Sequence, residues 1–322
     1  MNQSTMRERG VVSSRPQLSS IKVVLTLLFI VYVVGVVWPL QARPLVFAEI
    51  SDNPKRDYKK MAPLAAYVAH RMADLGITGS QVVMAKDLQQ MVAYLRDGKV
   101  DWVTDTVFPA LVMQQQAGAE ILARRWKKGV AGYHTVFFTR KESPIRNLSD
   151  LVGHRIAFEE ASSTSAFLLP MAHLIQGHRM TLTPLKTFRS TVSKEKVGFF
   201  FAGGEINLAM AVFRKQAAAG AFSNGDWEAA ASMPLAMKRN LRIFARTQSL
   251  PRALELVRKG LDAKIRRRLL EVLLTAHDTP EGRKVLHAFS RTKRFDGITD
   301  AIRQQIKQAR AFLPVVQKVQ TP

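Results

Sequence analysis

From residue 44 onward the chain switches repeatedly between short runs rich in β-branched or aromatic residues and runs with apolar residues every three to four. That alternation predicts an α/β architecture. Residues 45–49 (LVFAE), 81–85 and 101–104 read as strands, and a helix opening near Pro63 would set Leu64, Val68, Met72 and Leu75 on one face. A helix over 87–96 turns Leu88, Met91, Val92 and Leu95 inward. A helix over 108–116, a strand over 120–123 and the extended run 133–139 (YHTVFFT) follow. A second series begins with a short helix over 148–151. It continues with a strand over 154–158 (HRIAF), helices over 163–175 and 204–214, and strands over 219–222 and 241–245. Beyond Pro251 the pattern predicts helix again. There Ile265, Leu269, Val272 and Leu273 form an apolar stripe beside Arg266, Arg267 and Arg268, a solvated face. No solenoid-type repeat and no low-complexity linker interrupts the series.

The first 42 residues follow a different pattern. Arg7, Arg9, Arg15 and Lys22 precede an uncharged apolar run over 23–42, which as a helix rising about 1.5 Å per residue matches a bilayer core of about 30 Å. Positive flanking charge keeps the N-terminus cytoplasmic, so the remainder is expected to be exported. Residues 1–42 therefore read as a signal peptide or a signal anchor. Leu40-Gln41-Ala42 is a poor cleavage site and the run is long for a signal peptide, so both outcomes stay open.

Composition narrows the function. At 322 residues the chain has room for two domains, and 47% apolar with 23% charged residues excludes both wholesale disorder and a polytopic membrane protein. The absence of cysteine removes disulfides, thiolate metal sites and Cys nucleophiles. A formal charge of +23 favours anionic partners, while export argues against nucleic acid as one of them. The seven His residues form no HExxH and no ligand cluster, and there is neither a G-x-S-x-G elbow nor a P-loop. Neither an enzyme, a metal site nor a cofactor is expected.

The segment most suggestive of chemistry is 159–167 (EEASSTSAF), which follows the HRIAF strand and opens a helix. The first amides of a helix lack internal acceptors and lie at the positive end of its dipole, so an oxyanion can satisfy them. The hydroxyls of Ser163, Thr164 and Ser165 would add donors, although a plain helix cap would use the same residues. Asp105, Glu205 and Asp226 are nearby acid candidates. A carboxylate accepts a hydrogen bond from a protonated oxyanion or from an amine on the ligand, and each of the three could equally complement a helix dipole.

Several motifs occur in a fixed order: Lys99-Val100-Asp101, Ala117-Gly118-Ala119-Glu120, Gly132-Tyr133-His134-Thr135, Leu148-Ser149-Asp150-Leu151-Val152-Gly153, and Ser163-Thr164-Ser165 followed by Leu169-Pro170. Together, over about residues 45–295, they resemble the phosphate/phosphite/phosphonate substrate-binding proteins of ABC importers. The resemblance implies a type II periplasmic-binding-protein fold: two α/β lobes, a cleft between them, and a hinge of two extended crossovers, near 133–139 and 251–258. Lobe 1 would be discontinuous, 44–133 plus 251–322, and lobe 2 would be 134–250. It further implies that Ser163, Thr164 and Ser165 hold the phosphoryl oxygens, that Tyr133 contributes from the hinge, and that Glu205 is an acidic ligand contact. Asn224 and Asp226 would fall on a loop lining the cleft. The implied function is extracytoplasmic or periplasmic capture of a small oxyanion (phosphate, phosphite or phosphonate) by lobe closure, for an ABC permease. The alternative is a sensor or accessory protein of the same fold, held at the inner membrane by an uncleaved N-terminal segment. Two departures fall where a ligand's substituent would be read: Thr104-Asp105-Thr106-Val107 after the third strand, and Gly204 before Glu205.

Overall fold

The structure, a computed structural model, describes residues 42–320. The apolar run over 23–42 lies outside them except for Ala42, and no helix among the described residues is long and apolar enough to cross a membrane.

The chain opens with β1 (Arg43–Ile50), α1 (Pro54–His70), β2 (Ile77–Ala85), α2 (Leu88–Arg96), β3 (Trp102–Asp105), α3 (Val107–Ala117) and β4 (Glu120–Arg125). It crosses through β5 (Gly132–Tyr133) into β6 (Thr135–Arg140), β7 (Arg155–Phe158) and a helical segment over 164–177 whose middle turn is α4 (Leu169–Ala172). Then come β8 (Leu182–Pro184), β9 (Val197–Phe201), α5 (Glu205–Phe213), β10 (Ala219–Ser223), α6 (Asn224–Glu228), α7 (Leu235–Lys238) and β11 (Leu241–Arg246). The return runs through β12 (Leu250–Pro251) to β13 (Ala253–Val257), α8 (Ala263–Thr275), α9 (Pro280–Ala288), β14 (Phe295–Asp296) and α10 (Asp300–Gln320).

Two six-stranded sheets result, in the orders β14-β4-β13-β3-β1-β2 and β11-β6-β10-β7-β9-β8. They define the two lobes. Between them the chain passes twice, where β5 pairs antiparallel with β12, Leu250 opposite Tyr133 and Pro251 opposite Gly132. A side chain at Gly132 would meet Ser249 Oγ at 3.0 Å and the Leu250 carbonyl oxygen at 3.1 Å, so glycine lets the two crossovers touch. One apolar core runs through both lobes, and a further cluster packs on the other face of each sheet: α1, α8 and α9 cover the first, α5 and α6 the second. The last helix, α10, lies on α3 of lobe 1 and on the 164–177 segment of lobe 2.

Sequence motifs acquire physical meaning here. Asp101 is buried, accepts from the Val46 amide at 3.0 Å, and pairs with Arg43 at 2.5 Å and Arg258 at 3.0 Å, tying β1 to the end of β13. Asp150 takes the amides of Arg146 and Asn147, closing a capping box around the turn Leu148–Leu151.

Two expectations fail for identifiable reasons, and a stretch left unassigned proves to be a strand. The first helix starts at Pro54, capped by Asn53, and Pro63 lies inside it: the helix accepts the missing donor because Asn53 and Pro54 already supply a better start. Residues 197–201 (VGFFF) form β9, an interior strand whose unbroken apolar run lacks the alternation of a half-exposed strand. The stretch after Pro251 is first a strand, β13, inserted antiparallel between β3 and β4 before the helices begin at Ala263.

Candidate ligand-binding cleft

In each lobe the parallel strands point their C-terminal ends toward the other lobe. β1 ends at Glu49 and Ile50, β3 at Asp105, β7 at Phe158 followed by Glu159, and β10 at Ser223. Ligands of open α/β sheets are held at such ends, because backbone amides and helix starts converge there. Thr106, just past β3, meets Thr164 of lobe 2 with their hydroxyl oxygens 2.9 Å apart, a contact between the two lobes.

On the lobe 2 side, Ser163 caps the helical segment, its hydroxyl accepting the Ala166 amide at 3.2 Å. The opening turn is wide: the Leu168 amide reaches back five residues to the Ser163 carbonyl at 2.9 Å, in a π-helical turn over Thr164–Leu168. Amides at the start of such a turn have no acceptor within it. Thr164 is buried, and Ser165 is held from below by the Thr135 hydroxyl, which donates to its carbonyl at 2.7 Å. Glu159, at the β7 end, lies within reach of Ser163 and of Glu205. Burial, with the Glu205 carboxylate adding to it, pushes Glu159 up to about 7, while the Ser163 hydroxyl pulls the other way. Glu205 opens α5 directly after Gly203 and Gly204, whose φ values of 74° and 151° only glycine adopts readily, and no side chain caps that start.

The lobe 1 side is charged. Burial pushes Asp105 up to about 6, partly offset by the Thr106 amide donating to it at 2.6 Å, and the neighbouring Glu49 adds to the rise. Burial, then the neighbouring Arg125, brings Lys127 down to about 8. Tyr133 is buried in the crossover with its hydroxyl unpaired. The Arg252 guanidinium lies 4.5 Å over its ring, Thr164 sits close by, and burial drives the phenol up to about 12. Behind this layer Arg125 and Glu255 form a fully buried pair at 3.4 Å. Glu255 also accepts from Trp102 Nε1 at 2.6 Å and Thr104 at 2.7 Å, whereas none of the three Arg125 guanidinium nitrogens has a hydrogen-bond partner.

The structure thus brings Asp105, Tyr133 and Thr164 into one cluster and Ser163 and Glu205 into a second, with Ser165 adjoining. Asn224 sits beside the crossover, its side-chain oxygen accepting the His134 amide at 3.1 Å. The Asp226 carboxylate is engaged locally, taking the Ser223 hydroxyl at 2.5 Å at the start of α6. Sequence reading passed over Glu159, Thr106, Lys127, Arg252 and Glu49. Glu159 and Thr106 stood in the very segments singled out, but Lys127 and Arg252 come from distant stretches with no local signature. Hydroxyls and helix-start amides donate to an oxyanion, two cations add positive field, and carboxyls titrating near neutrality can match a protonated ligand oxygen or an amine. Among the described residues no group of three or more His, Cys, Asp or Glu side chains is placed to hold a metal ion.

Residues 47–302 match the family model of the ABC transporter, phosphonate, periplasmic substrate-binding protein. The phosphonates-binding periplasmic protein of Escherichia coli (strain K12) is 25% identical over 251 residues, 76% of this chain and 70% of the relative. XAC2383 from Xanthomonas citri, solved bound to chloride ion, is 36% identical with a TM-score of 0.79, covering 86% of this chain and 99% of that one. The same protein has been solved bound to ATP. PhnD1 from Prochlorococcus marinus (MIT 9301), in complex with methylphosphonate, shares the fold at 19% identity and a TM-score of 0.60, over 86% of this chain and 99% of that one. Matched across both sheets by the family model, the chain belongs to the periplasmic substrate-binding proteins of phosphonate ABC transporters, a family of transport components rather than enzymes.

Proposed function

We propose that the chain captures a small phosphorus oxyanion, a phosphonate, phosphite or phosphate, in the cleft and presents it to an ABC permease. The lobes would be 44–133 plus 251–322 and 134–250, closing about the paired crossovers. Ser163, Thr164 and Ser165 with their amides take the phosphoryl oxygens, Tyr133 contributes its unpaired hydroxyl, and Asp105, Glu205, Asn224 and Asp226 border the substituent. The observation that carries this reading is the Thr106–Thr164 contact at 2.9 Å, which puts the opening turn of the 164–177 segment where the two lobes meet rather than on an outer surface. Closure replaces water with fixed donors in a site of low dielectric, where charge-assisted hydrogen bonds are strong and geometry selects the anion. Only a ligand that binds the closed form better than the open one can drive it. The phosphonate family model over residues 47–302 and the phosphonates-binding relative of Escherichia coli support phosphorus-oxyanion chemistry for this cleft.

Calorimetry of the full chain in neutral detergent with phosphate, phosphite, methylphosphonate and aminoethylphosphonate tests the assignment. Heat of binding from at least one of them is expected. Binding to none, together with binding to an unrelated organic solute, would refute the ligand class. A second reading, a membrane-held sensor or accessory protein, is favoured by the uncharged run over 23–42. Mass spectrometry that finds residues 23–40 in the mature protein supports it, and a mature N-terminus beyond them excludes it.

A further inference from the structure

Lobe 2 carries a cavity of about 420 Å³ at the edge of its sheet remote from the cleft. Arg140, His154, Arg155 and Lys215 line it with Gly153, Thr191 and the two alanines just before β10. Its position follows from strand direction. On β7, Arg155 is the first residue and Phe158, next to the cleft's Glu159, is the last. On β6, Thr135 braces Ser165 and Arg140 lies at the opposite end, about 17 Å away at 3.4 Å per residue. The pocket therefore lies at the far end of the lobe 2 strands from Glu159 and Ser165.

One of its cations has an evident structural task. Arg140 caps the end of α5, donating to the carbonyls of Val212 at 2.9 Å and Ala217 at 3.2 Å, and its Nε reaches Glu142 at 3.1 Å outside the pocket. The rest have no such account. Arg155 spends only its Nε, on the Ser190 carbonyl at 3.2 Å. Lys215 holds its backbone at a φ of 64°, and its ammonium has no hydrogen-bond or ion-pair partner among the described residues. His154 uses Nδ1 on the Val152 carbonyl and is otherwise exposed. No acidic side chain lines the cavity. Arg140 is balanced by Glu142, but Arg155 and Lys215 have no carboxylate partner among the described residues; like charges so gathered repel one another, and an arrangement of this kind gains stability from a bound anion. The two unspent terminal nitrogens of Arg155, the Lys215 ammonium and the Thr191 hydroxyl suit the several oxygens of a phosphoryl group, and the volume falls in the range of small-ligand sites.

We propose that this pocket is a second binding site, for a phosphoryl-bearing anion, supplied either by a free polyphosphate or by the headgroup of an acidic phospholipid. It stands independently of the cleft reading. The test is calorimetry on the full chain in neutral detergent with sodium pyrophosphate in one arm and soluble dihexanoyl phosphatidylglycerol in the other, dihexanoyl phosphatidylcholine serving as control. At least one of the two probes should bind, and Arg155→Ala and Lys215→Gln should each weaken it about tenfold. Thr164→Val, on the cleft side, should leave this binding unchanged. Lys215→Gln guards against misfolding, since that side chain holds no part of the fold. Pyrophosphate binding alone assigns a free anion, and phosphatidylglycerol binding alone assigns a lipid source. No binding of either probe would overturn the proposal. So would binding insensitive to both pocket variants, pyrophosphate binding lost only in Thr164→Val, or equal binding of phosphatidylcholine.

Discussion

The two faces of the cleft reach the same place by opposite means. Lobe 2 offers hydroxyls and helix-start amides at Ser163, Thr164 and Ser165, groups that carry no net charge and need no counter-ion when the site is empty. Lobe 1 offers Glu49, Asp105, Lys127 and Arg252, backed by the fully buried Arg125–Glu255 pair. Neutral donors can be stored in a dry cleft without a partner more cheaply than ions can, because desolvating an ion costs far more than desolvating an amide. The difference suggests a division of tasks. Substitutions of the lobe 2 hydroxyls should register as affinity and those in the charged layer of lobe 1 as stability, while pH dependence should come from one carboxyl on each face, Glu159 and Asp105.

The largest effect should come from the buried layer. Glu255→Ala strands the Arg125 guanidinium, already without hydrogen bonds, in the core of lobe 1, and should lower stability by about 3–5 kcal/mol in urea unfolding. A loss below about 1 kcal/mol would mean that the pair is solvated and the contrast between the faces is weak. Next, Thr164→Val should weaken methylphosphonate binding by about 1.5–3 kcal/mol, roughly ten- to a hundredfold. Unfolding should change by only about 1 kcal/mol, for the lost bond to Thr106.

A pH titration sharpens the comparison further. Glu159, held up at about 7, and Asp105, at about 6, bind protons in the folded state that the unfolded chain has already released. Their contribution is complete below the ordinary carboxylate range and is lost as pH rises through about 6 to 7, so the melting temperature of the ligand-free protein should fall between pH 5 and pH 7.5. Glu159→Gln should flatten part of that slope, and an unaltered slope would remove Glu159 from the account. The smallest effect belongs to Asp226→Asn. Its carboxylate is engaged by Ser223, so stability should fall by about 0.5–1 kcal/mol and affinity should change less than that of Thr164→Val, both read from the same unfolding and calorimetry experiments.

Much of this was legible in the sequence, for physical reasons. Strands such as 154–158 and helix starts such as Ser163 announce themselves through local periodicity and capping chemistry, and the ordered motifs pointed to the fold. Asp101, within one of those motifs, proves to tie β1 to β13, a role visible only once Arg43 and Arg258 meet at it. The lobe 1 face was poorly legible. Lys127 sits in a turn after β4 and Arg252 between two short strands, and only the antiparallel insertion of β13 beside β4 brings them together. That strand was read as helix-leading sequence because five fully buried residues, 253–257, show no alternation. Glu159 lies in view, but nothing local distinguishes it from Glu160 beside it. Glu159's neighbour Glu205 arrives from a separate helix.

The most direct test of the central claim is an amide nuclear magnetic resonance titration of the full chain with methylphosphonate. If the helix start holds the oxyanion, the amide protons of Thr164 and Ser165 should move strongly downfield on saturation, as amides do when they donate to an anion. Saturation with both signals unmoved, while amides elsewhere shift, would contradict it.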